Sequence, residues 1–225
     1  MTPKHQPGTA KRHLLVMGAV LLLLTTAPNA LADRIVGVTA TTSMGSGFGT
    51  SLTNTVNGVG LSSLSLTATH GATIPSNSWV SSSGILTGQI TFSLGGLFTV
   101  DSFSFWNQNG GGPGALGSTG IHNVQVLTST DGTIFTPLAG GPTSFAQVVG
   151  NTNLPPEIFT FTAISATHFR FIVSSNFGDT AETGFAEIGF NGVSGVPEPT
   201  SMVLLGTGLA GIATQIIRCR KAKRE

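Results

Sequence analysis

Charge is scarce in this chain of 225 residues, since only 8% of them are Asp, Glu, Lys or Arg. The basic residues are concentrated at the two ends. Residues 33–195 therefore contain two arginines and no lysine against seven carboxylates, which leaves a net charge of −5. A protein that binds nucleic-acid phosphates needs clustered lysine and arginine side chains. The composition thus predicts that nucleic acid is not a partner.

Cysteine and catalytic motifs are also missing from the centre of the chain. The single cysteine, Cys219, lies near the C-terminus, so residues 33–195 have neither a disulfide nor a thiol nucleophile. No G-x-S-x-G motif occurs, and the histidines of this segment lack the spacing of a zinc site. We therefore expect that the protein is not an enzyme.

Short strand-like segments separated by glycines fill the centre. The chain has 31 glycines and 14 phenylalanines, and no long helical period occurs before residue 200. Apolar residues alternate in segments such as GQITFSLG, residues 88–95, and their parity changes after Val100. This change predicts a β-bulge near Asp101 or Ser102. Asp131–Gly132 is a hairpin signal. The pattern predicts an all-β fold, either a β-sandwich or a jelly roll.

The N-terminus has the three parts of a secretory signal. Basic residues precede an apolar run, Leu14–Leu24, and an A-x-A site follows at Ala30 and Ala32. As a helix the run would be about 16 Å long, which is short for a bilayer core of about 30 Å. We therefore predict a signal helix in residues 1–32, with cleavage after Ala32.

The C-terminus contains a proline-flanked glutamate before a short apolar run. Val196, Pro197, Glu198 and Pro199 spell VPEP, and an apolar helix is predicted over Met202–Ile217, followed by an arginine-rich end. At about 24 Å this helix is a marginal membrane anchor. Residues 196–225 resemble the PEP-CTERM sorting signal of Gram-negative bacteria that make extracellular polysaccharide. The resemblance implies a transient inner-membrane anchor, recognition by exosortase, a membrane-embedded protease-transpeptidase, and removal of the tail.

The central segment resembles the discoidin, or coagulation-factor type C, domains of the galactose-binding-like superfamily. The motifs W, LG…V, WN, STDG, R-F and NFG occur in the family's order within residues 36–193. The resemblance implies a jelly-roll β-sandwich over residues 33–195, with ligand loops at one end. It also implies a structural calcium near Asn57. Because this chain has Asn57–Gly58 where the family often has Asp-Gly, we expect only weak calcium binding.

Five residues are candidates for ligand binding. An exposed indole can stack on a sugar, and asparagine both donates and accepts hydrogen bonds to hydroxyls. The candidates are Trp79, Asn107, Asn109, Asn176 and Asp179. For Trp79, as for Trp106, a core position is the alternative, and the resemblance implies that Trp106 is buried.

Two functions stay open for the exported protein. The first is non-catalytic binding of extracellular polysaccharide at the cell surface or in a biofilm matrix. The alternative is a structural or adhesive matrix protein that binds protein or itself. Concentration-dependent assembly without glycan binding would favour the second function.

Overall fold

The computed structural model describes residues 33–109, 117–150, 153 and 155–195. It contains eight strands and one 3₁₀ helix, Leu52–Thr55. The strands are β1 Asp33–Arg34, β2 Thr39–Thr42, β3 Trp79–Val80, β4 Gly88–Asn107, β5 Val124–Ser129, β6 Thr136–Pro137, β7 Glu157–Val173 and β8 Gly184–Ser194. The predicted signal and sorting segments lie outside the described residues, and the predicted domain boundaries stay a prediction. Within the described ranges, no helix is long and apolar enough to cross a membrane.

Two long strands, β4 and β7, each contribute to both layers of a sandwich. Residues 88–93 of β4 pair with β2 and with residues 168–173 of β7, which pair in turn with β5. Residues 98–107 of β4 pair instead with β8 and with the first part of β7. All these pairs are antiparallel. Since one strand serves two layers, the sheet is continuous and folds over on itself.

Phenylalanine rings fill the space between the two layers. The Phe92 ring of the first layer lies 5.8 Å from the Phe190 ring of the second, measured between centroids. Phe171 lies 5.7 Å from Phe103 in the same way. All four side chains have no exposed surface. Burial of one such ring contributes about 1.5–3 kcal/mol, so these contacts dominate the stability of the fold.

The change of parity in β4 is a β-bulge, as the sequence predicted. Ile90, Phe92 and Leu94 point into the core. Between Val100 and Ser102 the register shifts against both neighbouring strands. A residue inserted in this way exchanges the two faces of a strand. The bulge therefore keeps the later phenylalanines of β4 in the core.

The hairpin predicted at Asp131–Gly132 joins β5 to β6. Gly132 has a φ of +75°, a backbone conformation that glycine adopts without strain. Oδ1 of Asp131 accepts the N–H groups of Thr133 (2.8 Å) and Ile134 (2.9 Å). These bonds, to Ile134 above all, hold the pKa of the Asp131 carboxyl well below its usual range.

Candidate functional site

Four loops meet at one end of the sandwich, where β4 and β8 begin and β7 ends. Backbone hydrogen bonds join neighbouring loops, from Ser82 N–H to Met44 O (2.9 Å), from Gly84 N–H to Ala181 O (2.7 Å) and from Phe177 N–H to Ser118 O (3.0 Å). We call this surface the loop face; it consists of residues 43–50, 81–87, 117–123 and 174–183. Because a rigid sandwich holds all four loops, their exposed groups keep fixed positions.

Asn107 is not an exposed ligand residue but a buried side chain that hydrogen-bonds the backbone of two distant segments. Its Nδ2 donates to the carbonyl oxygens of Ile121 (2.8 Å) and Ala146 (3.0 Å). Its Oδ1 accepts the N–H groups of Gln108 (3.0 Å) and Ile121 (2.9 Å). The side chain is only 4% exposed, so its hydrogen-bonding groups are engaged within the protein.

Asn109 and Asn176 also serve the protein backbone. Asn109 is buried, and its Oδ1 accepts the N–H of Thr73 (2.8 Å). Nδ2 of Asn176 donates to the carbonyl oxygens of Asp179 (2.9 Å) and Glu182 (2.8 Å). Both asparagine side chains therefore hydrogen-bond the backbone and stabilise the local loop conformation.

Both tryptophans are core residues, which corrects the stacking hypothesis for Trp79. Trp79 has no exposed surface, and its indole N–H donates to the carbonyl of Gly45 (3.0 Å). Trp106 is 3% exposed and donates to the carbonyl of Ala68 (2.9 Å). An indole without an exposed face cannot stack on a sugar. The two indole hydrogen bonds instead hold the backbone in place at Gly45 and at Ala68.

Asp179 is the predicted ligand residue whose carboxylate lies on the loop face, and it is partly exposed. Its Oδ1 accepts the N–H groups of Ala181 (2.7 Å) and Glu182 (2.9 Å). Its Oδ2 has only a long contact with the hydroxyl of Ser118, at 3.4 Å. Oδ1 therefore fixes the orientation of the carboxylate, while Oδ2 accepts one long hydrogen bond and can accept another.

Aromatic groups that sequence reasoning missed lie on the same face. The rings of His122 and Phe177 stack with a centroid distance of 4.4 Å and an interplanar angle of 27°. Both side chains are partly exposed. Phe48 is 75% exposed and has a φ of +49°, which is strained for a residue with a Cβ. The sequence signals were weak: a G-F-G triplet, an N-F-G triplet and a histidine before a strand.

The second carboxyl of the loop face is largely withdrawn from solvent. Glu182 is 8% exposed. Burial, and next to it the negative charge of Asp179, raise the pKa of the Glu182 carboxyl. The accessible negative charge of the loop face therefore comes mainly from Asp179.

A shallow depression adjoins the loop face where β4 starts and β7 ends. Its volume is about 610 Å³, and its walls include Ser43, Gln89 and Ser174. Hydroxyl and amide groups of this kind donate and accept hydrogen bonds. The depression is thus wide enough for a polar ligand of a few rings to extend beyond the loop face.

The residues near Asn57 do not fit a calcium ion. Oδ1 of Asn57 accepts the N–H of Val59 (2.9 Å). The neighbouring carboxylate, Glu187, faces the N–H of Gly58, 3.1 Å from each oxygen, and the guanidinium of Arg34. Calcium takes about six to eight oxygen ligands, whereas donors surround this carboxylate. In the described ranges no three His, Cys, Asp or Glu side chains are grouped to hold a metal.

One family model matches the chain. It is described as a PEP-CTERM protein-sorting motif and covers residues 195–221, so the predicted sorting signal is confirmed. The motif indicates an exported protein. None of the curated proteins compared with the chain matches it.

The fold is similar to that of family 32 CBMs, which are carbohydrate-binding modules. CBM32-1 from a family 31 glycoside hydrolase of Clostridium perfringens has a TM-score of 0.50 and 10% identity, with 70% of this chain and 96% of that chain covered. This similarity confirms the predicted discoidin-like β-sandwich, and at such identity it concerns the fold alone.

Two further structures have lower TM-scores. The family 32 CBM of C. perfringens NanJ, in complex with galactose, has a TM-score of 0.44 and 15% identity, over 72% of this chain and 98% of that one. CpGH89 from Clostridium perfringens has a TM-score of 0.48 and 19% identity. The match covers 74% of this chain but only 16% of CpGH89, so this chain spans a small part of that enzyme.

Proposed function

We propose that the protein is an exported, non-catalytic carbohydrate-binding protein whose loop face binds extracellular polysaccharide. The observation that carries the proposal is the position of the partly exposed His122–Phe177 ring pair and of the partly exposed Asp179 carboxylate on that one face. A sugar has an apolar C–H face and a rim of hydroxyls. Rings contact the first, and a carboxylate oxygen accepts hydrogen bonds from the second.

The sorting motif supports the location. A signal segment with cleavage after Ala32 and a PEP-CTERM motif at residues 195–221 together fit export across the inner membrane. Processing by exosortase then removes the tail and releases the domain to the cell surface or matrix. Mass spectrometry of surface material tests this step: the mature chain should start at Asp33 and end near the VPEP motif. An intact Glu225 in that material would contradict processing.

Binding is tested with the full-length protein in mild detergent on an array of bacterial and plant polysaccharides. Replacement of Phe177 by alanine removes the partner of the His122 ring and should weaken binding about tenfold, equivalent to about 1.4 kcal/mol. Ile134→Ala is the control, since this side chain is 73% exposed but lies on the hairpin at the other end of β5. Equal loss in both variants, or no glycan binding by the wild type, would contradict the proposal.

A structural or adhesive role is the second candidate, since large apolar side chains are exposed on separate parts of the surface. Val36 is 76% exposed, Phe48 75% and Ile134 73%. Side chains of this kind stabilise contacts between proteins when they form a continuous patch. Sedimentation at rising protein concentration distinguishes the two functions. Assembly without any glycan binding would favour the adhesive role.

A further inference from the structure

The two arginines of residues 33–195 are committed to contacts within the protein. Arg34 pairs with Glu187, and its side chain is only 7% exposed. Arg170 donates from Nε to the Thr91 hydroxyl (2.8 Å), and its guanidinium carbon lies 3.7 Å from the centroid of the Phe135 ring. Since this segment has no lysine, the loop face contains no lysine or arginine.

The charges on the loop face are of one sign. Its four segments contain two carboxylates, Asp179 and Glu182, and no lysine or arginine. Asp179 is held by the N–H groups of Ala181 and Glu182, so the carboxylate keeps its position when a ligand approaches. A ligand on this face therefore meets a fixed negative charge with no lysine or arginine beside it.

This arrangement distinguishes sugars by charge. Proteins recognise carboxylate ligands mainly through arginine, which forms paired charge-assisted hydrogen bonds. Two like charges at about 4 Å repel each other, and the repulsion is stronger near a protein surface than in bulk water. A neutral sugar avoids this repulsion and donates its hydroxyls to the carboxylate. A sugar with an ammonium group gains an attraction instead.

We propose that the loop face selects neutral or amino-bearing glycans over uronate glycans, with Asp179 as the residue that sets the preference. This inference rests on the proposed carbohydrate-binding function and specifies its ligand class. Asp179 accepts from sugar hydroxyl or ammonium groups through Oδ2 and excludes carboxylates by charge.

The test compares three classes of immobilised polysaccharide: neutral galactans and glucans, partly deacetylated glucosamine polymers, and polyuronates. The full-length protein is measured in mild detergent near neutral pH at low and high salt. We expect binding to neutral or glucosamine polymers, with glucosamine binding weakened by salt because its attraction is electrostatic. Binding to polyuronates alone would overturn the inference and leave the proposed function standing. Binding to no class would overturn both.

Asp179→Asn tests the residue itself. The amide oxygen can still accept from Ala181 and Glu182, so the loop is retained while the charge is lost. The ratio of affinity for uronate to affinity for neutral or glucosamine polymer should rise about tenfold, equivalent to about 1.4 kcal/mol. Asp131→Asn is the matched control, because its Oδ1 accepts N–H groups two and three residues ahead in the same way. An unchanged ratio in Asp179→Asn, or an equal change in both variants, would contradict the role of Asp179.

Discussion

Arg34 and Glu187 join the first strand to the last through a buried ion pair, so removal of the guanidinium should destabilise the whole sandwich. Nη2 of Arg34 lies 2.5 Å from Oε1 of Glu187, which has no exposed surface. Both Glu187 oxygens also accept the N–H of Gly58, at 3.1 Å. Arg34→Met keeps the apolar stem and leaves the carboxylate with that N–H alone.

The size of the effect follows from the burial of the partner left behind. Breaking a buried pair by removal of one member typically costs about 3–5 kcal/mol, whereas replacing both members with apolar residues is often neutral. A domain of this kind has about 5–15 kcal/mol of stability, so the variant should remain folded. Arg34→Met should therefore lose about 3 kcal/mol at pH 7, and Arg34→Met/Glu187→Leu should lose much less.

The loss should also depend on pH. Burial raises the pKa of Glu187 to about 7, although Arg34 and Gly58 act in the opposite direction. A carboxyl with a raised pKa in the folded state binds its proton more tightly there than in the unfolded chain. The stability that comes from this tighter proton binding is therefore fully present below the pKa that Glu187 has in the unfolded chain. It is lost as pH rises through the pKa that Glu187 has in the folded protein. Without Arg34 that pKa rises further, so the deficit of Arg34→Met should be larger at pH 8 than at pH 5.

Urea denaturation followed by tryptophan fluorescence measures the free energy of unfolding at each pH. Trp79 and Trp106 report on unfolding because both indoles are buried in the folded protein. The pair is unimportant if Arg34→Met matches the wild type within about 0.5 kcal/mol, which is the range of ordinary surface substitutions. The two residues are energetically uncoupled if the stability losses of Arg34→Met and Glu187→Leu, measured separately, add up to the loss of the double variant. Either result would refute the reasoning.

Three further predictions concern the loops and the hairpin. Asn107→Ala leaves the backbone groups of Ile121 and Ala146 without their partner, and should lower the free energy of unfolding by about 2–4 kcal/mol in urea titrations; a loss below 0.5 kcal/mol would show that water replaces the amide. Asp131→Ala should remove acid sensitivity, because a lowered pKa gives stability above the unfolded value of about 3.9 that is lost as pH falls; parallel melting curves for both proteins between pH 5 and pH 2 would contradict this. Calcium and EDTA should leave the melting temperature unchanged, since a site filled at 100 times its Kd would add about 2.7 kcal/mol.

The strands could be predicted because their signal is local. Burial on one face of a strand recurs every second residue, so Ile90, Phe92 and Leu94 identify the inward face without knowledge of any partner. The bulge at residues 100–102 is visible for the same reason, as a break in that period. Turn chemistry at Asp131–Gly132 is equally local. These features needed only neighbours in sequence.

The candidate site could be predicted only in part, because the fate of a polar loop residue depends on distant partners. Nδ2 of Asn107 finds the carbonyl of Ala146, and the Trp79 indole finds Gly45. An asparagine or tryptophan next to a glycine-rich loop has the same local pattern whether it faces solvent or the protein. Of the five candidates chosen from the sequence, only Asn176 and Asp179 belong to the loop face, and the ring pair of His122 and Phe177 emerged only from the packing. Asp179 is the exception, since an Asx-type turn uses one carboxylate oxygen and leaves the other with a single long hydrogen bond from Ser118.

The buried pair connects the fold to the processing of the chain. If cleavage falls after Ala32, as the sequence predicts, Arg34 becomes the second residue of the mature protein. Its Cα lies opposite Asn191 in β8, so the new N-terminus is paired to the sheet at once. A cut only two residues later would remove the guanidinium and leave Glu187 buried with the Gly58 N–H as its remaining partner. Cleavage at the predicted position would thus keep the buried Arg34–Glu187 pair intact in the mature domain.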